Sequence, residues 1–364
     1  MQESSYNQQP TVLVTGISGN LGRRLLPLLQ GFRVVGVDLA PVPGHPEIAV
    51  HPLNLGHESS CVQLVELLRQ SGAQMVVHLA FVSDPLRSGV TDHDRIWQIN
   101  VAGTARVMEA IAEVNRHGGG IRKFIYPSSV AVYGPETPPL VSEDAPLAAH
   151  TLPCAVHKAE ADNVVRFRAA SMGECSTYLL RPHIFAGASV ENYLVNAIRG
   201  RAYGQGKQAA RLRAQGKRLP LLLPRGGEYS EKLFQFVHVD DMARLLCWLL
   251  RKPEETQGEL ITLNVAGPGK PISIARCAEI AQAKIVRLPS RRTCSAVMKL
   301  GWKWGVSSVP PEAFPYLCGS YTVNIDKLRA LLGKDFTAVM QHSTESALAD
   351  CFTDDVATAA LSSS

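Results

Sequence analysis

The chain has 364 residues, 46% hydrophobic and 19% charged, which fits a globular protein of one large or two intimately joined domains and excludes disorder or fibrous structure as its main state. The net charge of +5 is too small for a dedicated nucleic-acid or anionic-membrane binder, although local basic patches stay open. Eight cysteines without a C-x-x-C pair argue against a zinc site or a disulfide scaffold, so no metal is expected and a reducing cytoplasm fits best. Met1 to Pro10 has neither a basic start nor an apolar h-region, and no segment approaches the ~18 unbroken apolar residues of a membrane span.

In chain order, Thr11 to Thr15 reads as a strand, Leu21 to Gln30 as a helix and Arg33 to Asp38 as a second strand, a βαβ unit. The rhythm continues through Gln74 to Leu79, a helix over Val101 to Asn115, the strand Arg122 to Pro127, a helix around Val156 to Ala170, and Ser176 to Arg181. Strands alternating with helices in this way imply an α/β fold with a doubly wound parallel sheet. After Pro182 the pattern breaks, resumes over Phe236 to Leu250 and Leu260 to Val265, and breaks again from Pro289 to Pro315. The predicted organisation is a Rossmann domain over 10–185, with 232–266 returning to it, a smaller substrate lobe over 186–231 and 267–350, and flexible tails at 1–9 and 355–364.

Thr15-Gly16-Ile17-Ser18-Gly19-Asn20-Leu21-Gly22 falls where the first strand must turn into the first helix. Glycines there allow a tight turn and let backbone N–H groups approach a pyrophosphate at the helix N-terminus. Asp38 closes the second strand 22 residues after Gly16, placed to accept hydrogen bonds from both hydroxyls of an adenosine ribose. A 2′-phosphate would meet like charge at Asp38, with no arginine immediately following, so NAD is expected over NADP.

The chain resembles the extended short-chain dehydrogenase/reductases, the NAD-dependent epimerase/dehydratase family of nucleotide-sugar enzymes. The spacing Gly16-x-x-Gly19-x-x-Gly22 is that family's form of the loop. Further matches are Val76-Val77-His78-Leu79-Ala80, Asn100-Val101-Ala102-Gly103-Thr104, Tyr126-Pro127-Ser128-Ser129 through Val132-Tyr133-Gly134, Leu180-Arg181-Pro182, Phe236 to Asp241 and Leu263 to Gly267. The resemblance assigns to the cofactor Gly16, Ser18, Gly19, Asn20, Leu21, Gly22, Asp38, Leu79, Ser128, Lys158 and Pro182. It further implies Asn54 and Leu55 beside the adenine and Ala80 on the nicotinamide side. Asn100 would hold the cofactor or order the nearby bend, or else cap the following helix. His78 reads as a satisfied core histidine, and His238 as a strand residue ahead of Asp240 and Asp241, which start or cap a helix.

The family's chemistry uses a serine, a tyrosine and a lysine: the tyrosine takes the hydroxyl proton as hydride leaves for NAD, and the lysine lowers its pKa and grips the nicotinamide ribose. Ser129 fits the serine and Lys158 the lysine. Four residues before Lys158, where the tyrosine belongs, stands Cys154. A phenol oxygen reaches roughly 6.5 Å from its Cα and a cysteine sulfur roughly 2.8 Å, so the thiol falls short of the phenol's place. His157 and Lys158, one turn along the helix, would favour a thiolate. Three outcomes stand open: oxidation of a sugar or alcohol with Tyr133, His157 or a water relaying the proton; a catalytically degenerate NAD-binding sensor or assembly protein; or a Cys154/His157 nucleophile.

From Arg199 to Arg225 there are eight basic residues and no acid, leaving 29 basic against 32 acidic elsewhere. Arg225 and its neighbours could pair with a sugar-nucleotide diphosphate, or the stretch could be a solvated insertion loop in which Gly204, Gln205, Gly206 and Gly216 resist a fixed conformation. Asn192 is a candidate substrate contact. Trp302, Trp304, Phe314, Tyr316 and Tyr321 could stack a base or sugar, or form a satellite core. Val130 and Ala131 replace the acid pair a dehydratase needs after its serine, so the expected activity is an NAD-dependent oxidoreductase or epimerase acting on a sugar nucleotide or related hydroxyl substrate by hydride transfer. The resemblance implies a homodimer, and neither nucleic acid nor membrane is expected as a partner.

Overall fold

The computed structural model describes residues 9–84, 89, 92–253 and 256–353; apart from Gln9, the two expected tails lie outside them. The chain divides into two compact units: residues 1–128, 160–181 and 242–263 form the first, and 129–159, 182–241 and 264–364 the second.

The first unit is organised by a sheet of β1 (Thr11–Thr15), β2 (Arg33–Asp38), β3 (Val50–Pro52), β4 (Met75–His78), β5 (Lys123–Pro127), β6 (Ser176–Pro182) and a last strand, Leu260–Val265, in the order last strand, β6, β5, β4, β1, β2, β3. β1 pairs in parallel with both β2 and β4, so the strand order reverses at that point and opens a crevice beyond the carboxyl ends of the two strands. Every residue of β1, β4 and β5 is buried, as expected for strands covered on both faces. β3 was not anticipated: three residues ending in proline are too short to show a period-2 pattern.

The helix Ser60–Ser71 buries Leu64, Leu67 and Leu68, ends at Gly72 with φ +60°, and packs against Gly103–Arg116, which buries Val107, Met108, Ile111 and Val114. Each such aliphatic side chain contributes about 1.5–3 kcal/mol. Two buried cations are fully engaged. Lys123 donates to the carbonyls of Leu249 and Lys252 at 2.6 and 2.7 Å, satisfying a helix C-terminus. Arg181 makes a two-pronged bond to Asp162 at 2.9 and 2.8 Å, with both side chains 1% exposed or less.

The second unit has its own core, in which Val130, Val132, Leu152 and Ala155 join Leu194, Phe234, Tyr316 and Val323. This corrects the expected boundaries: 129–159 and 232–241 belong with the second unit because their apolar side chains bury there. Its strands pair as short ribbons: β7 (Ile184–Ala186) with β10 (Phe236–His238), β9 (Leu233–Phe234) with β12 (Ile272–Ser273), and β8 (Leu221–Pro224) with β13 (Ile285–Leu288); the long strand Leu260–Val265 is β11. The stretch 199–225 is built structure, containing the helix Lys207–Ala214 and β8. Its glycines serve close approach: Gly204 and Gly206 donate to the carbonyls of Val306 and Gly305, and a Cβ on Gly204 would lie 2.0 Å from the Gly305 oxygen.

Candidate active site and family membership

The loop after β1 has the features a dinucleotide phosphate requires. Gly16 has φ +71°, and a Cβ there would stand 2.5 Å from the Ala80 nitrogen, so only glycine lets the loop lie against the segment following β4. A Cβ on Gly22 would meet the Ile17 carbonyl oxygen at 2.3 Å, which makes this glycine the close-packing position of the first helix. Gly19 is the N-cap of the helix Asn20–Leu25 and has no side chain to occlude its amides. Asn20 accepts from Arg24, and Leu21 lies half-buried in the first turn.

Asp38 closes β2 beside this loop. One carboxylate oxygen accepts the Ser18 amide at 3.0 Å and the other the Leu39 amide at 2.7 Å, while the Ser18 hydroxyl donates to the Ala40 carbonyl. These bonds hold Asp38 at the crossover and leave lone pairs for ribose hydroxyls.

A chain of hydrogen bonds fixes the opposite wall. The Ala80 amide donates to Thr15 Oγ1 at 3.3 Å, and Thr15 Oγ1 lies 2.6 Å from His78 Nδ1. His78 Nε2 lies 3.1 Å from Thr104 Oγ1, which donates to the Asn100 carbonyl. The Asn100 amide clamps Val82, accepting from its N–H at 2.7 Å and donating to its C=O at 2.9 Å. One proton arrangement satisfies every link, with the hydrogen of His78 on Nε2. His78 is therefore a satisfied core histidine. Asn100 orders the bend after β4; it is not a helix cap, because it lies within a continuous helical turn over Gln98–Ala102. The signal that would have found Thr15 is a hydroxyl at the last position of an otherwise apolar strand.

Leu79 follows β4, its amide bonded to the Thr15 carbonyl. Asn54 accepts from the Gly56 amide in a local turn, and Leu55 packs its side chain into the core. Pro182 ends β6. The Ser128 hydroxyl at the end of β5 is buried without a hydrogen-bond partner among the described residues. An orphaned buried hydroxyl, a loop that admits only glycine and a carboxylate at the crossover together fit NAD.

In the second unit, Ser129 opens the short turn Val130–Tyr133, its Oγ accepting from the Ala131 amide, which leaves the hydroxyl proton to be donated elsewhere. The Tyr133 hydroxyl is 2.7 Å from Asn264 Oδ1, in a residue only 3% exposed, so it ties the core together. Cys154 is half-buried in the first turn of the helix Pro153–Arg168, with His157 buried and Lys158 half-buried one turn on. Burial, with a smaller contribution from the Cys154 charge, pushes the Tyr316 phenol up to about 12, and burial raises Tyr321 further. Neither phenol ionises readily, so neither is suited to act as a base.

The remaining candidates are placed as follows. Asn192 caps the helix Tyr193–Arg199, accepting from the Val195 amide and donating to the Phe185 carbonyl. Arg225 is exposed beyond β8. Arg199, Arg213 and Arg218 donate to backbone carbonyls, among them Cys351, Gly204 and Ala281. Asp240 and Asp241 stand in the first turn of the helix Val239–Arg251, as expected, and Asp241 also accepts from the backbone and ring of His342, which stacks on His238. The aromatic group divides. Tyr316 and Tyr321 meet edge to face in the core, Phe314 joins a satellite cluster with Cys294 and Cys318, and Trp304 is 63% exposed.

Comparison with known proteins agrees with this architecture. UDP-glucose 4-epimerase 4 of Oryza sativa subsp. japonica is 28% identical over 284 residues, covering 72% of this chain and 73% of that protein. The solved UDP-glucose 4-epimerase of Thermotoga maritima, in complex with UDP-glucose, superposes with a TM-score of 0.65 at 18% identity, over 96% of this chain and 99% of that one. The UDP-glucuronic acid 4-epimerase of Bacillus cereus, holding UDP-glucuronic acid and NAD, gives 0.62 at 19% identity, over 93% and 96%. At these identities the two structures establish the shared fold. Residues 12–266 match the model of the NAD dependent epimerase/dehydratase family, and with the glycine loop, Asp38 and the reversal of strand order in place, the chain belongs to that family and takes NAD as its cofactor.

Proposed function

We propose that the protein is an NAD-dependent oxidoreductase or epimerase acting on a sugar nucleotide by hydride transfer, with Cys154 where the family's tyrosine stands. The Gly16–Gly22 loop with Asp38 carries this reading, since both are built for a dinucleotide. The Oryza relative and the solved structures above are epimerases of UDP-sugars, which directs the substrate class.

NAD, when bound, accepts hydride from a substrate carbon and can return it. The Ser129 hydroxyl orients the substrate oxygen by donating to it. Lys158 supplies positive charge for the nicotinamide ribose and for a developing alkoxide. The hydroxyl proton leaves through a water or His157, because the Cys154 sulfur is too short to reach the phenol's place and Tyr133 is bonded to Asn264. We further propose a cytoplasmic homodimer formed through the helices Gly103–Arg116 and Pro153–Arg168, the latter exposing 84% of Phe167.

The test is hydride transfer on purified protein, followed as NADH absorbance and as isotope exchange across UDP-glucose, UDP-galactose and UDP-glucuronic acid. Turnover that falls at least about tenfold in Ser129→Ala and in Lys158→Met supports the reading. Tight NAD binding with no turnover on any substrate, and turnover gained in Cys154→Tyr, assigns the chain to the catalytically degenerate class instead.

A further inference from the structure

The net charge of +5 conceals a segregation that the fold makes explicit. Residues 199–225 carry eight basic side chains and no acid, and 280–311 carry six more and again no acid. The rest of the chain holds 23 basic residues against 32 acidic. These two segments, far apart in sequence, are neighbours in the second unit: β8 pairs in parallel with β13, Leu221 opposite Ile285 through Pro224 opposite Leu288. The helix Arg291–Lys303 packs on β8, and the amide of Gly206, which caps the helix Lys207–Ala214, donates to the carbonyl of Gly305.

The helix Arg291–Lys303 has a defined inner face, where Cys294 packs with Phe314 and Cys318 and Met298 lies against them one turn on. At about 100° per residue its outer face carries two adjacent rows. One row is basic: Arg292, Lys299 and Lys303, all exposed. The other is apolar: Val297, Leu300 and Trp304, exposed by 42%, 42% and 63%. Water-exposed aliphatic and indole surface beside a lysine row is the composition of a helix that lies in a membrane interface, its apolar row among acyl chains and its cations at headgroup phosphates. A nucleic acid would use the cations and leave Val297 and Leu300 without a partner.

We propose that the helix Arg291–Lys303, with Trp304, is a docking surface for a bilayer containing anionic phospholipid. Lys207 and Arg211, exposed on the helix that Gly206 ties to Gly305, extend the positive field beside it. This attachment is peripheral, in keeping with the absence of any helix among the described residues long and apolar enough to cross a membrane. It departs from the expectation of no membrane partner, which rested on total charge and on spanning segments while leaving local basic patches open. Nothing in it depends on the reaction proposed above.

The test is co-sedimentation of the full chain with phosphatidylcholine vesicles made with and without phosphatidylserine. The protein pellets with the phosphatidylserine vesicles, remains in solution with phosphatidylcholine alone, and is released by high salt. Replacing Lys299 and Lys303 together by alanine weakens binding about 30-fold. Trp304→Ala with Leu300→Ser abolishes pelleting, and both variants keep the stabilisation by NAD seen in thermal melting, which separates loss of the surface from loss of the fold. Failure of the wild-type chain to pellet with phosphatidylserine vesicles overturns the proposal. So does unchanged pelleting of the Trp304/Leu300 variant, or binding of double-stranded DNA that such vesicles do not compete away.

Discussion

Gly16→Ala and Gly19→Ala separate the folding role of the glycine loop from its cofactor role. At Gly16 an alanine would be forced to φ +71°, which costs about 1–2 kcal/mol. Its Cβ would also stand 2.5 Å from the Ala80 nitrogen and 2.7 Å from the Ala80 Cα, where ordinary contact begins near 3.4 Å. Those atoms are backbone, held by the Thr15 hydroxyl, and cannot swing aside, so overpacking adds about 1–3 kcal/mol. The total for Gly16→Ala is about 2–5 kcal/mol. Gly19 differs: its φ is −70°, and the nearest atom to an added Cβ is the Gly16 carbonyl oxygen at 3.1 Å, so alanine costs the fold about 1 kcal/mol or less. The Gly19 methyl interferes with the backbone's approach to the pyrophosphate, and the Gly16 methyl, facing the Ala80 backbone, pushes the loop itself out of place, so each weakens NAD at least about tenfold. Urea unfolding without cofactor gives the first quantity and titration calorimetry with NAD the second. A Gly16→Ala protein as stable as wild type, or a Gly19→Ala protein that binds NAD as wild type does, refutes the argument.

Three further outcomes follow from other sites. His183 is buried, its Nε2 bonded to the Tyr321 carbonyl and its ring stacked on Tyr321, and desolvation lowers its pKa to about 4 from 6.5. Because the unfolded chain takes up the proton first, this stability is fully present above pH 6.5 and is lost as pH falls towards 4, by about 3 kcal/mol. Urea midpoints measured across that window fall in wild type and fall less in His183→Gln. Asp162→Asn leaves the Arg181 guanidinium buried without its counter-charge and costs about 3–5 kcal/mol in the same assay, far more than an exposed pair such as Arg168 with Glu109. His78→Phe keeps an aromatic ring stacked with Phe124 and Tyr126 but breaks the Thr15–Thr104 bridge, so NAD binding measured by calorimetry weakens.

Local chemistry in the sequence was enough to specify the nucleotide half of the fold. A β1 strand that is apolar throughout, glycines at a strand-to-helix turn and an acid ending the next strand are short-range requirements, and they mark β1, β2, Gly16, Gly22 and Asp38 without knowledge of distant residues. The proposal that Cys154 stands where the family has its tyrosine rests on equally local spacing, four residues before Lys158. The sequence could not show where side chains from remote segments meet. Asn100, Asn192 and Tyr133 look like site residues in one dimension; Val82, Phe185 and Asn264, which occupy their polar groups, lie 18, 7 and 131 residues away. The domain boundary near Ser129 was decided by burial of Val130 and Val132 against residues beyond 180, and the positive face by pairing of β8 with β13. Periodicity and motif spacing report on a residue's immediate neighbours along the chain; hydrogen-bond satisfaction and charge density depend on neighbours in space, and only the folded chain supplies those.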